Sequence, residues 1–320
     1  VFTFNYFPIV SKNCDKAQIL YISWVYDNPL IALFSCTVIN PCNCIFLFDY
    51  HSYEYFHNQG ISTIFYLPLC ANPKRLCKST NTDIPQNDIS FVGSLYTEPK
   101  QRLYDKLSGM DSYSKGYIDA LVDAQSHIDG YFFLEESLSL ALLDAMQKVC
   151  PITPNQDGVY SHYFLGRRAT ALARIDLLNK LSQNFDVTVY THADCKDILP
   201  TAIYGGKIDY YDTMPTVFQH SKINLNITLK TIQTGIPLRA WDILGCGGFL
   251  LTNFQQELCD FFIPGEDFVY YESPADAIEK AAYFLSHDRE RQEIAHNAFE
   301  KIAASHTFHH RVQSMFDIIT

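Results

Sequence analysis

Short apolar runs alternate with helical patterns from the first residue onward. Residues 1–4 read as a strand and 7–16 as a helix. Residues 19–25, 44–48 and 63–67 are further apolar runs of strand length, the first of them ended by Asp27-Asn28-Pro29. Short runs of this kind, spaced by helical stretches, predict βαβ units and a parallel sheet. Residues 71–88 break the pattern with polar residues and prolines and read as a linker, so that 1–70 form a first domain.

A new strand starts at 89–92, opening a second domain over 89–305. The stretch from about 98 to 158 shows helical periodicity with no strand-like interval and reads as a helical insertion. Residues 163–181 form an amphipathic helix with Arg167, Arg168, Arg174 and Lys180 off its apolar stripe. Strands are expected at 187–190, 207–210, 223–227, 249–252 and 268–271. Helices are expected at 214–220, 238–244, 274–286 and 289–305, with a tail helix over 306–320. In 223–227, Asn224 and Asn226 alternate with Ile223, Leu225 and Ile227. The whole is an α/β chain of two Rossmann-like domains. It opens directly on a strand, with no Met and no lead-in, so residues upstream of Val1 are expected and the first domain is expected to be incomplete.

Composition narrows the classes. The 320 residues suffice for two such domains, and 48% hydrophobic with 18% charged residues excludes a mainly disordered chain. A net charge of −11 without a long basic run disfavours a nucleic-acid partner, whose backbone needs cations. No stretch approaches the roughly 20 apolar residues of a membrane span. The 10 cysteines are scattered, without repeated CxxC pairs. They read as buried thiols of a protein in a reducing cytosol, and no metal site is expected. His306, His309 and His310 have near-metal spacing but read as a helix exit.

The densest chemistry lies between Ser221 and Glu257. Thr234-Gly235-Ile236-Pro237 ends one element and opens a helix, so backbone N–H groups there can approach an anion with no Cβ in the way. Arg239 in the first turn can reach a diphosphate. Asp242, one turn on, can accept hydrogen bonds from two ribose hydroxyls. Together they are the minimum kit for a sugar nucleotide; the plainer reading is a surface ion pair. Gly247 and Gly248 follow the helix, where glycine also serves as an ordinary terminator.

Four stretches resemble the spore-maturation (CgeB-like) glycosyltransferases, relatives of the large family 4 of GT-B enzymes: 22–30, 90–96, 214–226 and 235–252. The resemblance implies a GT-B fold, with an acceptor site in the first domain facing a nucleotide-sugar site in the second. It implies a transferase moving a sugar from a nucleotide-diphosphate donor, a UDP-sugar expected first, to a hydroxyl of a protein or glycan, without a metal or other cofactor. Asp242 matches the second, ribose-binding glutamate of the family 4 pair. The first falls on Thr234, which is not acidic. The strand-loop that carries the diphosphate-binding Arg and Lys falls on Gly93 to Lys100, with Ser94 at the Arg position. Lys100, Arg102, Lys230 and Arg239 are therefore the phosphate candidates, Arg239 first. Thr252 closes the matched segment, and Glu257 stands where such enzymes touch the donor sugar. A base for the acceptor hydroxyl is expected in the first domain, where Asp27, Asp49 and His51 follow strand ends, Asp27 being favoured. A nucleotide-sugar epimerase of the same fold and a non-catalytic coat or scaffold protein with a relic cleft are the other readings.

Overall fold

The computed structural model describes residues 1–77, 86–152 and 158–319. Part of the expected linker, 78–85, lies outside the described residues. The first sheet contains β1 (Phe2–Phe4), β2 (Tyr21–Val25), β3 (Asn43–Leu47) and β4 (Ile64–Tyr66), all parallel and in that order. The second contains β5 (Asn87–Val92), β6 (Val187–Tyr190), β7 (Ile203–Tyr204), β8 (Ser221–Asn226), β9 (Leu250–Asn253) and β10 (Val269–Tyr271), in the order β10-β9-β8-β5-β6-β7 and again all parallel. The order reverses at β5: the chain first winds out to β6 and β7, then returns to the other side for β8. Ligands of open parallel sheets bind outside the strand C-termini at such a switch point.

The inner strands are apolar because helices cover both faces, so alternation is weak and their burial nearly complete, while the edge strands β1 and β7 stay partly exposed. Ile89, Phe91, Val187, Val189, Ile223 and Leu225 form one side of the second core. The other face carries Asn224 and Asn226, yet it is buried too. Asn224 Oδ1 accepts from Ser90 Oγ at 3.0 Å, and Asn226 Nδ2 donates to Thr252 Oγ1 at 2.9 Å. A third core cluster runs through both domains, with Trp24, Phe46 and Phe48 packed in the same assembly as Met214, Phe218 and Trp241.

The expected strand at 207–210 is corrected: β7 ends at Tyr204 and those residues are a loop. Two glycines cause this. A Cβ on Gly205 would lie 2.6 Å from the Tyr190 ring, and Gly206 holds φ +78°, so the chain leaves the sheet early. Within the inserted segment, helices Ser112–Ser126 and Leu140–Val149 have their own core around Ile118, Leu134 and Met146. A π-helical stretch, Val159–Gly166, leads from it into the helix Arg167–Ser182. The last helix, Phe308–Ile319, returns to the first domain. Arg311, almost fully buried there, donates to the carbonyls of Pro68 and Leu69, and its Nη2 donates to His306 Nδ1 at 2.9 Å. His306 thus belongs to an aromatic cluster with Trp241 and Phe261, at the helix exit.

Candidate functional site

A cleft of about 1110 Å³, open mouth included, lies outside the C-terminal ends of β5 and β6. Gly93 and Ser94 form its floor. Thr191 and His192 continue from β6, and the 207–210 loop and Arg239 complete the wall. Arg239, half-buried in the first turn of the helix Leu238–Gly245, touches Met214 Sδ and the face of Phe218. It makes no ion pair with Asp242; among the described residues Asp242 pairs with Arg75, at 3.8 Å. Arg75 comes from the short helix Pro73–Leu76 of the linker and stacks over the Tyr210 ring at 4.7 Å.

Asp242 is buried behind this wall. Its Oδ1 accepts from the Tyr210 hydroxyl at 3.2 Å, and its Oδ2 has no hydrogen-bond partner among the described residues. Burial raises the carboxyl to about 6, against the pull of Arg239 and Arg75. A buried carboxylate oxygen left unsatisfied costs about 1–3 kcal/mol, which a hydroxyl donor reaching it would recover.

The half-buried Arg174 buttresses the floor. Its guanidinium donates to the carbonyls of Ser94 (2.5 Å) and Ile227 (2.7 Å) and packs over Tyr96 and Phe91. Arg75, Arg174, Lys207, Tyr210 and His192 did not stand out as site residues in the sequence. The signal that identifies His192 is its position just after a strand of the parallel sheet.

A second constellation joins the domains. Asp49, at the end of β3, is buried, and its Oδ1 accepts from Thr234 N (3.0 Å), Thr234 Oγ1 (2.7 Å) and Gly235 N (2.9 Å). Its Oδ2 accepts from Asn28 Nδ2 and Ser52 Oγ. The anion expected at the Gly235 loop is thus, in this structure, a carboxylate of the chain itself. With five donors on it, Asp49 is a clasp and not a free base. Glu257 reaches the other way. Its carboxylate accepts from Tyr50 N at 2.8 Å and from the Tyr66 hydroxyl at 2.7 Å, both in the first domain. Glu257 Oε1 lies 2.8 Å from Thr234 Oγ1, so a carboxylate adjoins Thr234, where the resemblance placed a non-acidic residue. Burial, with Asp49 nearby, raises Glu257 to about 7. His51 donates its backbone N–H to Thr234 Oγ1 at 3.1 Å, while its ring faces a second cavity.

That cavity, about 680 Å³ including its mouth, lies at the ends of β2 and β3 and is walled by the insertion and by Thr231. Asp27 is on its rim. It does not cap a helix: its Oδ2 accepts from Asn5 Nδ2 at 2.8 Å, and its N–H donates to Asn5 Oδ1.

Six other expected site residues are elsewhere. Lys100 is exposed and lines none of the cavities described, and Arg102 pairs with Asp105 on the surface. Lys230 is buried, its Nζ 2.7 Å from Asp129 of the insertion, so its charge is already neutralised. Gly247 and Gly248 terminate a helix: their N–H groups donate to the carbonyls of Leu244 and Ile243, with Gly247 at φ +72°. This is a Schellman motif, satisfying carbonyls the helix leaves open. Thr252 is wholly buried in the Asn226–Asn253 network of the sheet.

Two parallel sheets with a cleft at the switch point of the second define the GT-B class of fold. Among solved structures, the chain resembles sucrose-phosphate synthase from Thermosynechococcus elongatus at 8% identity and TM-score 0.56, over 99% of this chain and 72% of that one. HepE from Anabaena, in complex with UDP and glucose, matches at 8% identity and TM-score 0.55, over 99% and 77%. TarM matches at 11% and 0.55, over 99% of this chain and 54% of that one, so the chain spans about half of TarM. Residues 167–317 match the model of a family described as glycosyl transferase-like. Comparison with curated protein sequences gives no match.

Proposed function

We propose that this chain transfers a sugar from a nucleotide-diphosphate donor, a UDP-sugar first, to a hydroxyl of a protein or glycan. The observation that carries the reading is the orphaned Asp242 Oδ2, buried beside Tyr210 and Arg75 at a cleft lined by Arg239 and Lys207. In this reading Asp242 takes the ribose hydroxyls, and the two cleft cations meet the diphosphate as it leaves, in place of a metal. The match to the glycosyl transferase-like family over 167–317 supports it, since that span holds Lys207, Arg239 and Asp242. The UDP and glucose of the HepE complex make UDP the first nucleotide to try. The resemblance of 22–30, 90–96 and 235–252 to the spore-maturation (CgeB-like) enzymes suggests the subfamily, and with it cell-surface glycosylation by a cytoplasmic enzyme.

Calorimetric titration of the full chain with UDP, GDP and dTDP tests this. At least one is expected to bind, and Asp242→Ala is expected to weaken it by about tenfold or more, the worth of hydrogen bonds to a charged acceptor. Binding of none of the three, or unchanged affinity in the variant, overturns the reading or the ribose role respectively.

A further inference from the structure

The two cavities have opposite chemistry. The cleft at β5 and β6 carries Arg239, Lys207 and His192, whereas no Lys or Arg among the described residues lines the cavity at β2 and β3. Asp209 is also in the lining of the first cleft, beside those cations, whereas the second has the carboxylates of Asp27 and Glu135 on its rim with no described lysine or arginine to balance them. An anion is therefore repelled from it and an uncharged molecule is not.

Its interior is hydrocarbon. Leu30, Leu33, Phe34, Leu47, Tyr55 and Phe56 line it. Most of its polar side chains are spent on one another. Asn28 donates to Asp49 and Ser52, and Ser52 donates to Asp49. Thr231 Oγ1 donates to the Asn28 carbonyl at 3.4 Å, and Gln233 Oε1 accepts from Phe132 N at 2.9 Å. A sugar ring seated against Leu33, Leu47 and Phe56 would bury hydroxyls on side chains that offer them no polar partner. An apolar body would not.

One rim group is poised differently. His162, from the π-helical stretch, is held by its Nδ1 3.0 Å from the Gly158 carbonyl, with its ring against Phe132 at 4.9 Å. Nδ1 also lies 3.1 Å from Ser161 Oγ, whose own hydroxyl donates to the same carbonyl at 3.0 Å; both oxygens then accept from an Nδ1–H, and Nε2 presents a lone pair. The nearest charge to Nε2 is Glu135 Oε2, at 3.7 Å. Burial lowers the imidazole below its ordinary value, against the opposing pull of Glu135, which keeps it neutral at pH 7. Asp27, Asp49, His51 and Tyr55 are the other titratable groups lining the same cavity with Glu135.

We propose that this cavity is the acceptor pocket, that it takes an uncharged acceptor whose hydroxyl is borne on a compact apolar body such as a phenol, and that His162 Nε2 receives the hydroxyl proton. The proposal rests on the transferase reading above. In the step, the acceptor oxygen bonds to the anomeric carbon while its proton passes to Nε2. The bond from that carbon to the diphosphate oxygen breaks, and its electron pair leaves with the nucleoside diphosphate. His162 would then be a catalytic residue contributed by the π-helical stretch that follows the insertion, displacing Asp27 from that role.

Ligand-observed NMR and titration with 4-methylphenol, and with methyl glucoside as the polar control, test it on the full chain. The phenol is expected to bind at least tenfold tighter than the glucoside. His162 ring resonances should shift on its addition, and the nitrogen-15 spectrum should show the Nδ1–H tautomer. Leu30→Asp should abolish phenol binding and His162→Gln weaken it severalfold, both with nucleotide binding intact. Equal or tighter glucoside binding, an Nε2–H tautomer, or phenol binding indifferent to both variants overturns the proposal. Because nucleotide binding is measured separately, loss of the phenol site leaves the transferase reading standing, and loss of nucleotide binding removes it.

Discussion

Three carboxylates at the site differ by what surrounds them. Asp49 is saturated by donors, Asp242 keeps one oxygen unpartnered, and Glu257 is shared across the domain seam. Glu257 makes its position measurable. Its carboxyl titrates at about 7 in the native protein against an ordinary 4.5, so between those values the folded chain holds a proton that the unfolded chain has lost. The resulting stability is full below about 4.5 and disappears as pH rises through 7. Glu257→Gln stays neutral throughout and keeps an acceptor oxygen for Tyr50 N. Thermal melts should therefore show the wild type losing stability relative to Glu257→Gln as pH goes from 4.5 to 7.5, by about 3 kcal/mol at most. A pH-independent difference between the two would refute the raised titration of Glu257.

At the scale of elements, the helix end at Gly247 and Gly248 separates structural from functional glycine. Gly247→Ala puts a Cβ on a left-handed residue, at a cost of about 1 kcal/mol. Gly248→Ala places one 2.7 Å from Asn224 Nδ2 and 3.2 Å from two backbone carbonyls, at a cost nearer 2–3 kcal/mol. Denaturant midpoints should fall in that order, with nucleotide affinity unchanged in both; weakened affinity would return these glycines to the site. The same pair shows where sequence reading stops. A glycine cluster after a helix fits both a cap and a phosphate loop, and only the φ angle and the carbonyl partners distinguish them. The strands themselves were legible, because a doubly covered parallel sheet writes short apolar runs into the chain. Lys-Ile-Asp-Tyr at 207–210 alternates like a strand but is not one, since Gly205 and Gly206 turn the chain out first. That turn delivers Lys207 and Tyr210 to the cleft. Arg239 and Asp242 were readable from helix spacing. Arg75 and His162 were not, because the linker helix and the π-helical stretch meet the site only in three dimensions.

Over the whole molecule, the domains are tied by a common apolar cluster, by the returning C-terminal helix and by the reciprocal carboxylates of Asp49 and Glu257. The site residues are drawn from all these parts: the linker, the insertion, and the strand ends of both sheets. Gly235 sets how closely the parts meet. A Cβ there would stand 2.9 Å from the Cα of Asp49 and 3.0 Å from the Phe48 ring, and backbone cannot yield as a side chain can. The width of the gap between the two halves is thus set by one missing methyl group. Gly235→Ala should act as a wedge, giving a larger radius of gyration in small-angle scattering and a lower melting temperature. An unchanged radius would mean the halves meet with slack to spare; an enlarged one would make position 235 a handle for holding the two halves apart.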